Sequence, residues 1–357
     1  MQDCILVTGG AGFIGSALVR LIVNETNRYV ANLDKLTYAG SLENVADVSD
    51  NGRYSFEQAD ICDAGAIAAI FDYHQPAAVV HLAAESHVDR SIDGPRPFVE
   101  SNIVGTYVML EASRRYLSGL SAAERGRFRF VQVSTDEVFG ALGKAGRFDE
   151  KTPYDPSSPY SASKASADHL ARAWFRTFGV PVIVTNCSNN FGPYQYPEKL
   201  IPVTILNLLA DKAVPIYGRG ENVRDWLYVD DHVRALMAVL DRGEPGATYV
   251  VGASNEKSNL DLVRQICAIM DEMSPRDDGA PHADQIRFVD DRPGHDFRYA
   301  IDATRIREEL SWAPARNHDE ALRATVRWYI ENQDWCLRRL GNEAVAGGGT
   351  RRRGLGS

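Results

Sequence analysis

The sequence predicts an α/β fold, a doubly wound parallel sheet followed by a smaller and more irregular C-terminal domain. Three observations support this prediction. Short apolar runs alternate with amphipathic stretches in the first half of the chain, which is typical of parallel strands joined by crossover helices. A glycine-rich turn joins the first run to the first amphipathic stretch. After about residue 190 the alternation gives way to loops such as "FGPYQYPEKLIP".

These changes along the chain give the predicted domain boundaries. Residues 1–190 are expected to form the first domain, and the late apolar run "TYVVGAS" indicates that a returning segment near 226–254 completes it. Residues 191–342 are expected to form the second domain, which binds the substrate. The Gly- and Arg-rich residues 343–357 are expected to be a disordered tail.

Length, charge and cysteine content exclude several classes of protein. The 357 residues carry a net charge of −9 and no basic stripe, so we expect no nucleic-acid partner. The five cysteines are scattered and form no CxxC pair, so we expect neither a disulfide framework nor a metal site, but reduced thiols in a cytoplasmic protein. No basic leader precedes "CILVTGG" and no apolar run is long enough to span a bilayer, so we expect no signal peptide and no membrane partner.

The segment "VTGGAGFIGS" places Gly9, Gly12 and Gly15 between the first strand and the first helix, followed by Phe13 and Ile14 within the same turn. Glycines here permit a tight turn, close approach of the backbone to a pyrophosphate, and close helix–strand packing. The helix N-terminus offers free N–H groups to the phosphates. A glycine pattern alone is a weak signal. Its strand–turn–helix context predicts a Rossmann-type dinucleotide site, against the alternative of a turn that binds nothing.

The second predicted strand ends in Asp34, about 20 residues after Gly15, where a ribose-binding acid is expected. A carboxylate here favours NAD over NADP, because it would repel a 2′-phosphate. The positive charge of Lys35, next to Asp34, slightly weakens this preference for NAD. Asp60 and Ile61 follow the third strand and are expected to border the adenine ring.

The segment "PYSASKASADHL" places Tyr160 and Lys164 four residues apart on one face of a predicted helix. A free tyrosine has a pKa of about 10 and is a poor base near neutrality. We expect the Lys164 ammonium and a positive nicotinamide to favour the phenolate, so that Tyr160 takes a proton from a substrate hydroxyl while hydride leaves the same carbon. Lys164 is also expected to hold the nicotinamide ribose. The alternative is a helix-face pair without chemistry.

The segment "VQVSTDEVFG" ends an apolar strand in Thr135, Asp136 and Glu137. Two adjacent carboxylates at the end of a buried strand are costly, because an unpaired buried charge is unfavourable and like charges repel. The alternative to a functional pair is a set of capping or surface charges. Side chains alternate along an extended segment, so the two carboxylates can face one ligand only if the chain bends there. The sequence does not show that bend.

Together the glycine turn, the strand-end Thr135 and the Tyr160-x-x-x-Lys164 pair resemble the extended short-chain dehydrogenase/reductase family. The resemblance is closest to its dTDP-glucose 4,6-dehydratase branch and runs from residue 1 to about residue 328. The segments that carry it are "LDKLTYAG", "HLAAESHVDRSI", "STDEVFG", "PYSASKA", "NNFGPYQYPEKLIP", "GRGENVRDWLYVDDH" and "DRPGHDFRYAID".

The resemblance implies an NAD-dependent hydro-lyase of deoxysugar biosynthesis, for example of rhamnose, that acts on dTDP-glucose. Hydride would pass from sugar C4 to NAD⁺ and return to C6 after water is lost, so that NAD is recycled. Glu137 resembles the base at C5 and Asp136 the acid at C6. Thr135 resembles the hydroxyl that bonds the C4 oxygen beside Tyr160.

The resemblance also implies ligand contacts that are, taken singly, more often surface or packing residues. No metal is expected. The implied cofactor contacts are Gly9, Gly12, Phe13, Ile14, Gly15, Asp34, Lys35, Leu36, Thr37, Asp60, Ile61, Leu82, Ala83, Ala84, Ser101, Tyr160, Lys164 and Asn190. The implied substrate contacts are Ser86, His87, Thr135, Asn189, Lys199, Leu200, Pro215, Ile216, Tyr217, Arg224, Asn259, Asp291, Arg292, His295 and Tyr299.

Two other functions remain open from the sequence. One is another nucleotide-sugar enzyme of the same fold: a 4-epimerase, a UDP-glucuronate decarboxylase or a GDP-mannose 4,6-dehydratase. Asp136 discriminates against these, because they resemble this chain elsewhere but lack the full acid–base pair. The other is a non-catalytic NAD-binding regulator, which the presence of Thr135, Tyr160 and Lys164 disfavours.

A homodimer is the expected assembly. In related enzymes two helices beside the sheet form a four-helix interface, and "FVESNIVGTYVMLEASRRY" and "SASKASADHLARAWFRTFG" correspond to them. Both segments carry apolar residues at helical spacing. The same pattern fits burial against the chain's own sheet.

Overall fold

The computed structural model describes residues 3–291 and 296–346, with residues 342–346 described as backbone alone. The described residues form a seven-stranded parallel sheet, a three-stranded sheet and a two-stranded sheet. The strands are β1 (Cys4–Thr8), β2 (Tyr29–Asp34), β3 (Tyr54–Gln58), β4 (Ala78–His81), β5 (Arg129–Thr135), β6 (Val182–Cys187), β7 (Asn189–Phe191), β8 (Val214–Tyr217), β9 (Val223–Tyr228), β10 (Thr248–Val251), β11 (Glu256–Ser258) and β12 (Ile286–Val289).

Helices connect most of these strands, and shorter helical turns occur between them. A π-helical turn covers Val99–Gly105, and 3₁₀ turns cover Leu42–Val45, Asp136–Phe139 and His282–Gln285. The α-helices are α1 (Phe13–Glu25), α2 (Ala64–His74), α3 (Val88–Asp93), α4 (Arg96–Phe98), α5 (Thr106–Ser118), α6 (Ala122–Arg127), α7 (Pro159–Phe178), α8 (Leu200–Leu209), α9 (Val229–Arg242), α10 (Asn259–Met273), α11 (Thr304–Leu310), α12 (His318–Glu331) and α13 (Gln333–Ala346).

The large sheet has the strand order β3-β2-β1-β4-β5-β6-β10. All neighbouring pairs are parallel, and the predicted doubly wound sheet is confirmed. Strands β1, β4 and β6 are buried along their whole length, which explains their nearly continuous apolar sequences. The run "TYVVGAS" supplies β10, which pairs with β6 although it follows β9 and α9 in the chain.

Separate apolar clusters cover the two faces of this sheet. One cluster joins α1 and α9 to the sheet through residues such as Ile22 and Leu236. The other joins α2, α5 and α7 through residues such as Phe71, Leu110 and Ala171. Helices on both faces bury the sheet, so that the polar ends of its strands remain the places where a ligand can reach it.

A further apolar cluster gathers α8, α10, α12 and α13, with Ile205, Leu262 and Leu322 fully or almost fully buried in it. The division into two domains at residue 190 stays a prediction. Helix α13 continues to Ala346, so residues 343–346 of the predicted tail are helical. The rest of that tail, residues 347–357, lies outside the described residues.

The carboxyl ends of the parallel strands meet at one edge of the large sheet. The glycine turn follows β1, the Thr135–Glu137 triplet ends β5, and Asn189 follows β6. The crevice at this edge is where open α/β sheets bind ligands. In the part of the chain that the structure describes, no helix has both the length and the apolar character needed to cross a bilayer.

Candidate active site

The glycine turn after β1 forms a cradle that side chains would fill. Gly9 has a positive φ of 72°, and a Cβ on it would lie 2.8 Å from the backbone nitrogen of Ala83. A Cβ on Gly15 would lie only 2.0 Å from the Gly9 carbonyl oxygen. Gly12 precedes α1 and gives it no side-chain cap, so the first N–H groups of the helix, from Phe13 onward, suit a phosphate. The cradle therefore fits the pyrophosphate of a dinucleotide.

Asp34 ends β2 and is held by backbone donors. Its carboxylate oxygens accept hydrogen bonds from the Ala11 N–H at 3.0 Å and the Leu36 N–H at 2.8 Å. Burial raises the pKa of Asp34 in spite of these bonds. Lys35 forms an ion pair with Asp60 at 2.5 Å, and this contact lowers the pKa of Asp60 although burial alone would raise it. The charge of Lys35 is thus matched by Asp60, and selection against a 2′-phosphate by Asp34 stays a prediction.

The residues after β4 are tied to the end of β1. Leu82 N–H donates to the Thr8 carbonyl at 3.2 Å, and Ala83 N–H donates to the Thr8 hydroxyl at 3.1 Å. His81 hydrogen-bonds the hydroxyls of Thr8 at 2.7 Å and Thr106 at 3.2 Å. Burial lowers the pKa of His81 to about 3, so this ring is neutral and purely structural. Sequence reasoning missed this histidine, which the apolar run of β4 conceals.

The remaining predicted cofactor contacts are scattered around this edge. Thr37 and Ala84 are exposed, and Ser101 lies in the π-helical turn. Asn190 hydrogen-bonds the ring of His232 at 2.9 Å and the Ser188 carbonyl at 2.9 Å. Ile61 is 6% exposed, and its side chain lies against Gly105 of the π-helical turn. Its place beside the adenine ring stays a prediction.

The bend that the paired carboxylates require is a 3₁₀ turn. Strand β5 ends at Thr135, and the turn Asp136–Phe139 begins at once. The Thr135 hydroxyl caps it by accepting the Glu137 N–H at 3.2 Å. Gly140, with φ of 81°, ends the turn where a Cβ would lie 2.4 Å from the Asp155 carbonyl. Because the chain turns tightly, Asp136 and Glu137 escape the alternation of an extended strand.

Asp136 is a buried carboxyl in an unfavourable place for a negative charge. It is 1% exposed, and burial, followed by the charges of Glu137 and Asp225, raises its pKa well above the ordinary value despite Arg224. One carboxyl oxygen accepts the Thr135 hydroxyl at 3.3 Å. The other has no hydrogen-bond partner among the described residues. The raised pKa favours the protonated form of Asp136, and one carboxyl oxygen is left to serve a ligand.

Tyr160 and Lys164 are both buried on α7. Burial raises the pKa of the Tyr160 phenol well above its ordinary value, with Glu137 as the next cause, and the hydrogen bond to Thr135 only partly offsets this. Lys164 is buried and donates to the Val133 carbonyl at 2.7 Å. Desolvation and the nearby carboxylates therefore disfavour the phenolate in the protein without a ligand. That Lys164 and a positive nicotinamide together favour the phenolate stays a prediction.

Sequence reasoning also missed a buried network behind β5. The Asn186 amide donates to the Thr135 carbonyl at 3.2 Å and to the Asp168 carboxylate at 3.2 Å. The Tyr154 hydroxyl donates to the same carboxylate at 2.9 Å. Asp168 lies four residues after Lys164 on α7, and that spacing could have identified it. Tyr154 and Asn186 lie outside every motif, and only the tertiary fold brings them here.

Several predicted substrate contacts converge at the ends of β4 and β7. The Lys199 ammonium donates to the Ser86 carbonyl at 3.4 Å. Ser86 follows β4, whereas Lys199 lies between β7 and α8. His87 lies 3.5 Å from the Glu198 carboxylate. Leu200 begins α8 directly after Lys199.

A second group of predicted substrate contacts is linked through Asp296. The Arg224 guanidinium lies 4.3 Å above the Tyr299 ring and donates to the Asp296 carbonyl at 3.0 Å. The Tyr299 hydroxyl donates to the Asp296 carboxylate. Asn222 donates to the Asp296 carbonyl at 3.2 Å and accepts the Asn259 N–H through its own carbonyl at 2.9 Å. Arg224 and Glu137 both act on the Tyr299 hydroxyl, whose pKa is raised mainly by burial, so this group adjoins the catalytic carboxylates.

The last predicted contacts lie on β8 and beyond it. Residues 215–217 form part of β8, which pairs with β12. The Ile216 side chain is 2% exposed in the apolar cluster of α8 and α10, so it serves packing, whereas Pro215 and Tyr217 are partly exposed. The Asn189 side-chain oxygen is buried without a partner within residues 3–291 and 296–346. Asp291 lies beside Gly218 at the end of β8, 3.0 Å from where a Cβ would be. Two predicted contacts lie outside the described residues: Arg292 and His295.

Among the described side chains, no group of three or more His, Cys, Asp or Glu residues is arranged to hold a metal ion.

Comparison with known proteins identifies the family. The family model described as GDP-mannose 4,6 dehydratase matches residues 6–325. A dTDP-glucose 4,6-dehydratase from Shigella flexneri is 59% identical over 340 residues, which cover 93% of this chain and 94% of the relative. One from Escherichia coli is 56% identical over 345 residues, covering 94% and 95%.

A solved structure agrees with these relatives. The dTDP-glucose 4,6-dehydratase from Bacillus anthracis, solved in complex with NAD, has a TM-score of 0.84 at 42% identity. The match covers 94% of this chain and 99% of that one. The family model is described by a GDP-mannose enzyme, whereas both of these relatives carry the dTDP-glucose name. Its fold, its motifs and these relatives show that the chain belongs to the dTDP-glucose 4,6-dehydratase family.

Proposed function

We propose that this protein is an NAD-dependent hydro-lyase that converts dTDP-glucose to dTDP-4-keto-6-deoxyglucose and water. The observation that carries the proposal is the pair at the end of β5, in which a buried Asp136 with a raised pKa stands next to Glu137. An elimination of water needs an acid and a base at adjacent carbons, and these neighbours can divide the roles. The names of the relatives and the NAD in the Bacillus anthracis structure support the substrate and the cofactor.

The nucleotide end would hold NAD through the chain's own groups. The cradle of Gly9 and Gly15 and the start of α1 suit the pyrophosphate, and Asp34 suits the adenosine ribose. The Lys164 ammonium donates one of its three N–H groups to the Val133 carbonyl, so others can bind the nicotinamide ribose. NAD⁺, when bound, supplies the hydride acceptor for C4, the hydride returned to C6, and a positive ring that favours the Tyr160 phenolate.

In the oxidation step, Tyr160 takes the proton of the C4 hydroxyl as the C4 hydride leaves. Thr135 orients the reacting oxygen, since its hydroxyl bonds the Tyr160 phenol and is itself fixed by the Glu137 N–H. The high pKa of the buried phenol makes the tyrosinate a strong base once it forms.

In the elimination step, Glu137 removes the C5 proton, which the new C4 ketone has made acidic. Asp136 gives its proton to the C6 hydroxyl, which leaves as water. Glu137 returns a proton to C5 as hydride is delivered to C6, and this gives the 4-keto-6-deoxy sugar. The raised pKa of Asp136 favours the protonated form that this step requires.

Cations on the substrate side would hold the diphosphate. Arg224 and Lys199 supply donors of the kind that phosphates prefer, and Arg224 is fixed by its stacking on Tyr299. Asn189 and Asn259 are further proposed contacts, as are Arg292 and His295 outside the described residues.

We also propose a cytoplasmic homodimer. Large apolar side chains are exposed around α5 and at the end of α7, namely Val99 at 47%, Val104 at 44%, Tyr107 at 46% and Phe178 at 47%. These segments are the ones for which the sequence predicts a four-helix interface, and burying such side chains is favourable. Free thiols at every cysteine in the described residues support a reducing compartment.

The test is to give the purified protein dTDP-glucose without added NAD⁺. We expect the alkaline absorbance of a 4-keto-6-deoxy sugar, and by mass spectrometry a product lighter by one water, with no net NADH. UDP-glucose, GDP-mannose and UDP-glucuronate serve as matched substrates and should turn over much more slowly. Turnover of UDP-glucuronate, or inversion at C4 without loss of water, would contradict the roles given to Asp136 and Glu137.

A further inference from the structure

Residues 35–45, the first part of the connection between β2 and β3, contact the glycine turn and are called here the 35–45 loop. The Ser41 N–H donates to the Ala11 carbonyl at 2.9 Å, and the Asn44 amide donates to the same oxygen at 2.8 Å. The loop begins immediately after Asp34, whose carboxylate also binds the Ala11 N–H. The 35–45 loop therefore joins the two halves of the proposed cofactor site, the ribose acid and the pyrophosphate turn.

The outer side of the 35–45 loop is held by α13, from the far end of the described chain. The Arg339 guanidinium donates to the Tyr38 carbonyl at 2.6 Å and to the Gly40 carbonyl at 3.0 Å. The Trp335 indole donates to the Asn44 side chain at 3.1 Å. Both α13 residues are only 5% exposed. Because Arg339 binds main-chain carbonyls, it constrains the path of the loop backbone itself.

Arg339 is in turn fixed from the other side. Its guanidinium lies 5.6 Å from the centre of the Tyr196 ring, and the Tyr196 hydroxyl donates to the Arg339 carbonyl at 3.1 Å. The Tyr196 ring also packs edge-on against Tyr38, 5.2 Å between centres. Tyr38 reaches the substrate side, where its hydroxyl donates to Glu198 at 3.1 Å. One buried guanidinium thus links α13, the 35–45 loop and the segment before α8.

We infer that Arg339 is a positioning residue that keeps the 35–45 loop closed against the glycine turn and so keeps NAD bound through the whole reaction. The inference rests on the proposed function, in which one NAD accepts the C4 hydride and returns it to C6. A cofactor lost between these steps would leave the sugar oxidised and the enzyme empty. The 35–45 loop is held by the glycine turn on one side and by α13 on the other. Dissociation of NAD is therefore slow, because the loop must break several buried contacts to open.

The test compares the dissociation of NAD from purified full-length variants. The NAD-loaded protein is diluted into NAD-free buffer, and released NAD is measured over time by enzymatic cycling. We expect Arg339→Met to release NAD about 10-fold faster or more, because two hydrogen bonds from a charged donor are lost. Arg339→Lys should be intermediate, since an ammonium can reach only part of the two-carbonyl site. Added NAD should raise the turnover of R339M.

The matched control is Arg338→Met, which changes the neighbouring residue of α13. Arg338 pairs with Glu43 on the same loop at 3.1 Å, but both side chains are about half exposed, so we expect wild-type NAD release. Trp335→Phe keeps an aromatic side chain, although a smaller one, and removes the indole donor to Asn44. It should release NAD a few-fold faster even if R339M folds poorly.

Two results would overturn the inference. If R339M has a lower melting temperature but releases NAD at the wild-type rate, Arg339 is merely structural. If R338M and R339M accelerate release equally, the effect belongs to the surface charge of α13. These failures can be told apart from a failure of the proposed function. If the wild type turns over dTDP-glucose and R339M retains NAD as well as the wild type does, only this inference is wrong. If the wild type neither holds NAD nor dehydrates the sugar, the proposed function is wrong as well.

Discussion

Asp136 is a residue at which stability and chemistry oppose each other. Its pKa in the folded protein is raised by burial and by neighbouring carboxylates. The folded state therefore holds the Asp136 proton more tightly than the unfolded state does. As pH rises from the ordinary carboxyl pKa towards the raised one, the unfolded state loses this proton first, and Asp136 lowers the free energy of unfolding. A functional site that costs stability is expected where an acid must stay protonated.

Asp136→Asn should therefore stabilise the fold and disable the reaction. The amide cannot ionise, so the melting temperature at pH 7 should rise, and the gain should shrink as pH falls towards the ordinary carboxyl pKa. Without the acid at C6, turnover should fall by about 10²–10⁴-fold. Differential scanning calorimetry across pH and a dehydration assay measure the two effects.

The control for this variant is Asp72→Asn on the exposed side of α2, which should change neither quantity. An Asp136→Asn protein that is less stable than wild type at pH 7, yet dehydrates at the normal rate, would remove Asp136 from the mechanism.

Tyr160→Phe should separate binding from chemistry. The variant loses the hydroxyl that we propose takes the C4 proton but keeps the aromatic ring of a residue that is 9% exposed. We expect turnover to fall by about 10²–10⁴-fold, with NAD still bound after purification. Tyr73→Phe, at a side chain 81% exposed, is the matched control. Normal turnover by Y160F would show that another group takes the proton.

The residues that carry this chemistry were predictable to different degrees. Thr135, Asp136 and Glu137 are conspicuous because carboxylates rarely follow an apolar strand. The direction of the Tyr160 pKa was not predictable, because it depends on how deeply the fold buries the phenol. The Asn186 contact to the Thr135 carbonyl joins two strands whose register the sequence does not specify.

At the scale of elements, the turn from β1 to α1 leaves no room for side chains at its glycines. The sequence predicted this turn because the spacing of the glycines is local information. The 3₁₀ turn after β5 was not predicted, since its cap is a Thr135 hydroxyl whose geometry depends on where the strand stops. The apolar run of β10 predicted a returning strand, but its pairing with β6 at the sheet's edge comes only from tertiary structure.

Gly15→Ala should damage the turn. The new Cβ would stand 2.0 Å from the Gly9 carbonyl oxygen, so backbone must move. We expect a loss of about 1–3 kcal/mol in unfolding free energy and a weaker hold on NAD, measured by denaturant titration and NAD content. Gly126→Ala, in the exposed helix α6 where a Cβ meets nothing within 4 Å, should instead stabilise by about 0.5–1 kcal/mol. If the two variants have the same unfolding free energy and the same NAD content, the glycine turn does not need its lack of side chains to hold NAD.

At the scale of the whole molecule, the proposed homodimer depends on the exposed apolar residues around α5. Tyr107→Glu places a charge at the centre of the expected four-helix interface. We expect sedimentation to show a shift from dimer to monomer at micromolar protein, because an unpaired charge is costly to bury. Tyr73→Glu, on α2, should leave the dimer intact. A dimer that tolerates Y107E uses another surface.

The position of β10 has a consequence for how the protein is made. The large sheet is finished only when Thr248–Val251 pairs with β6, long after β6 itself has been synthesised. The nascent chain leaves the ribosome N-terminus first. For some seconds, therefore, β6 has been synthesised and one of its edges has no partner strand. Open edges recruit other strands. Slow codons or pauses between residues 187 and 248 should therefore lower the soluble yield more than pauses after residue 251, although the finished protein would be identical.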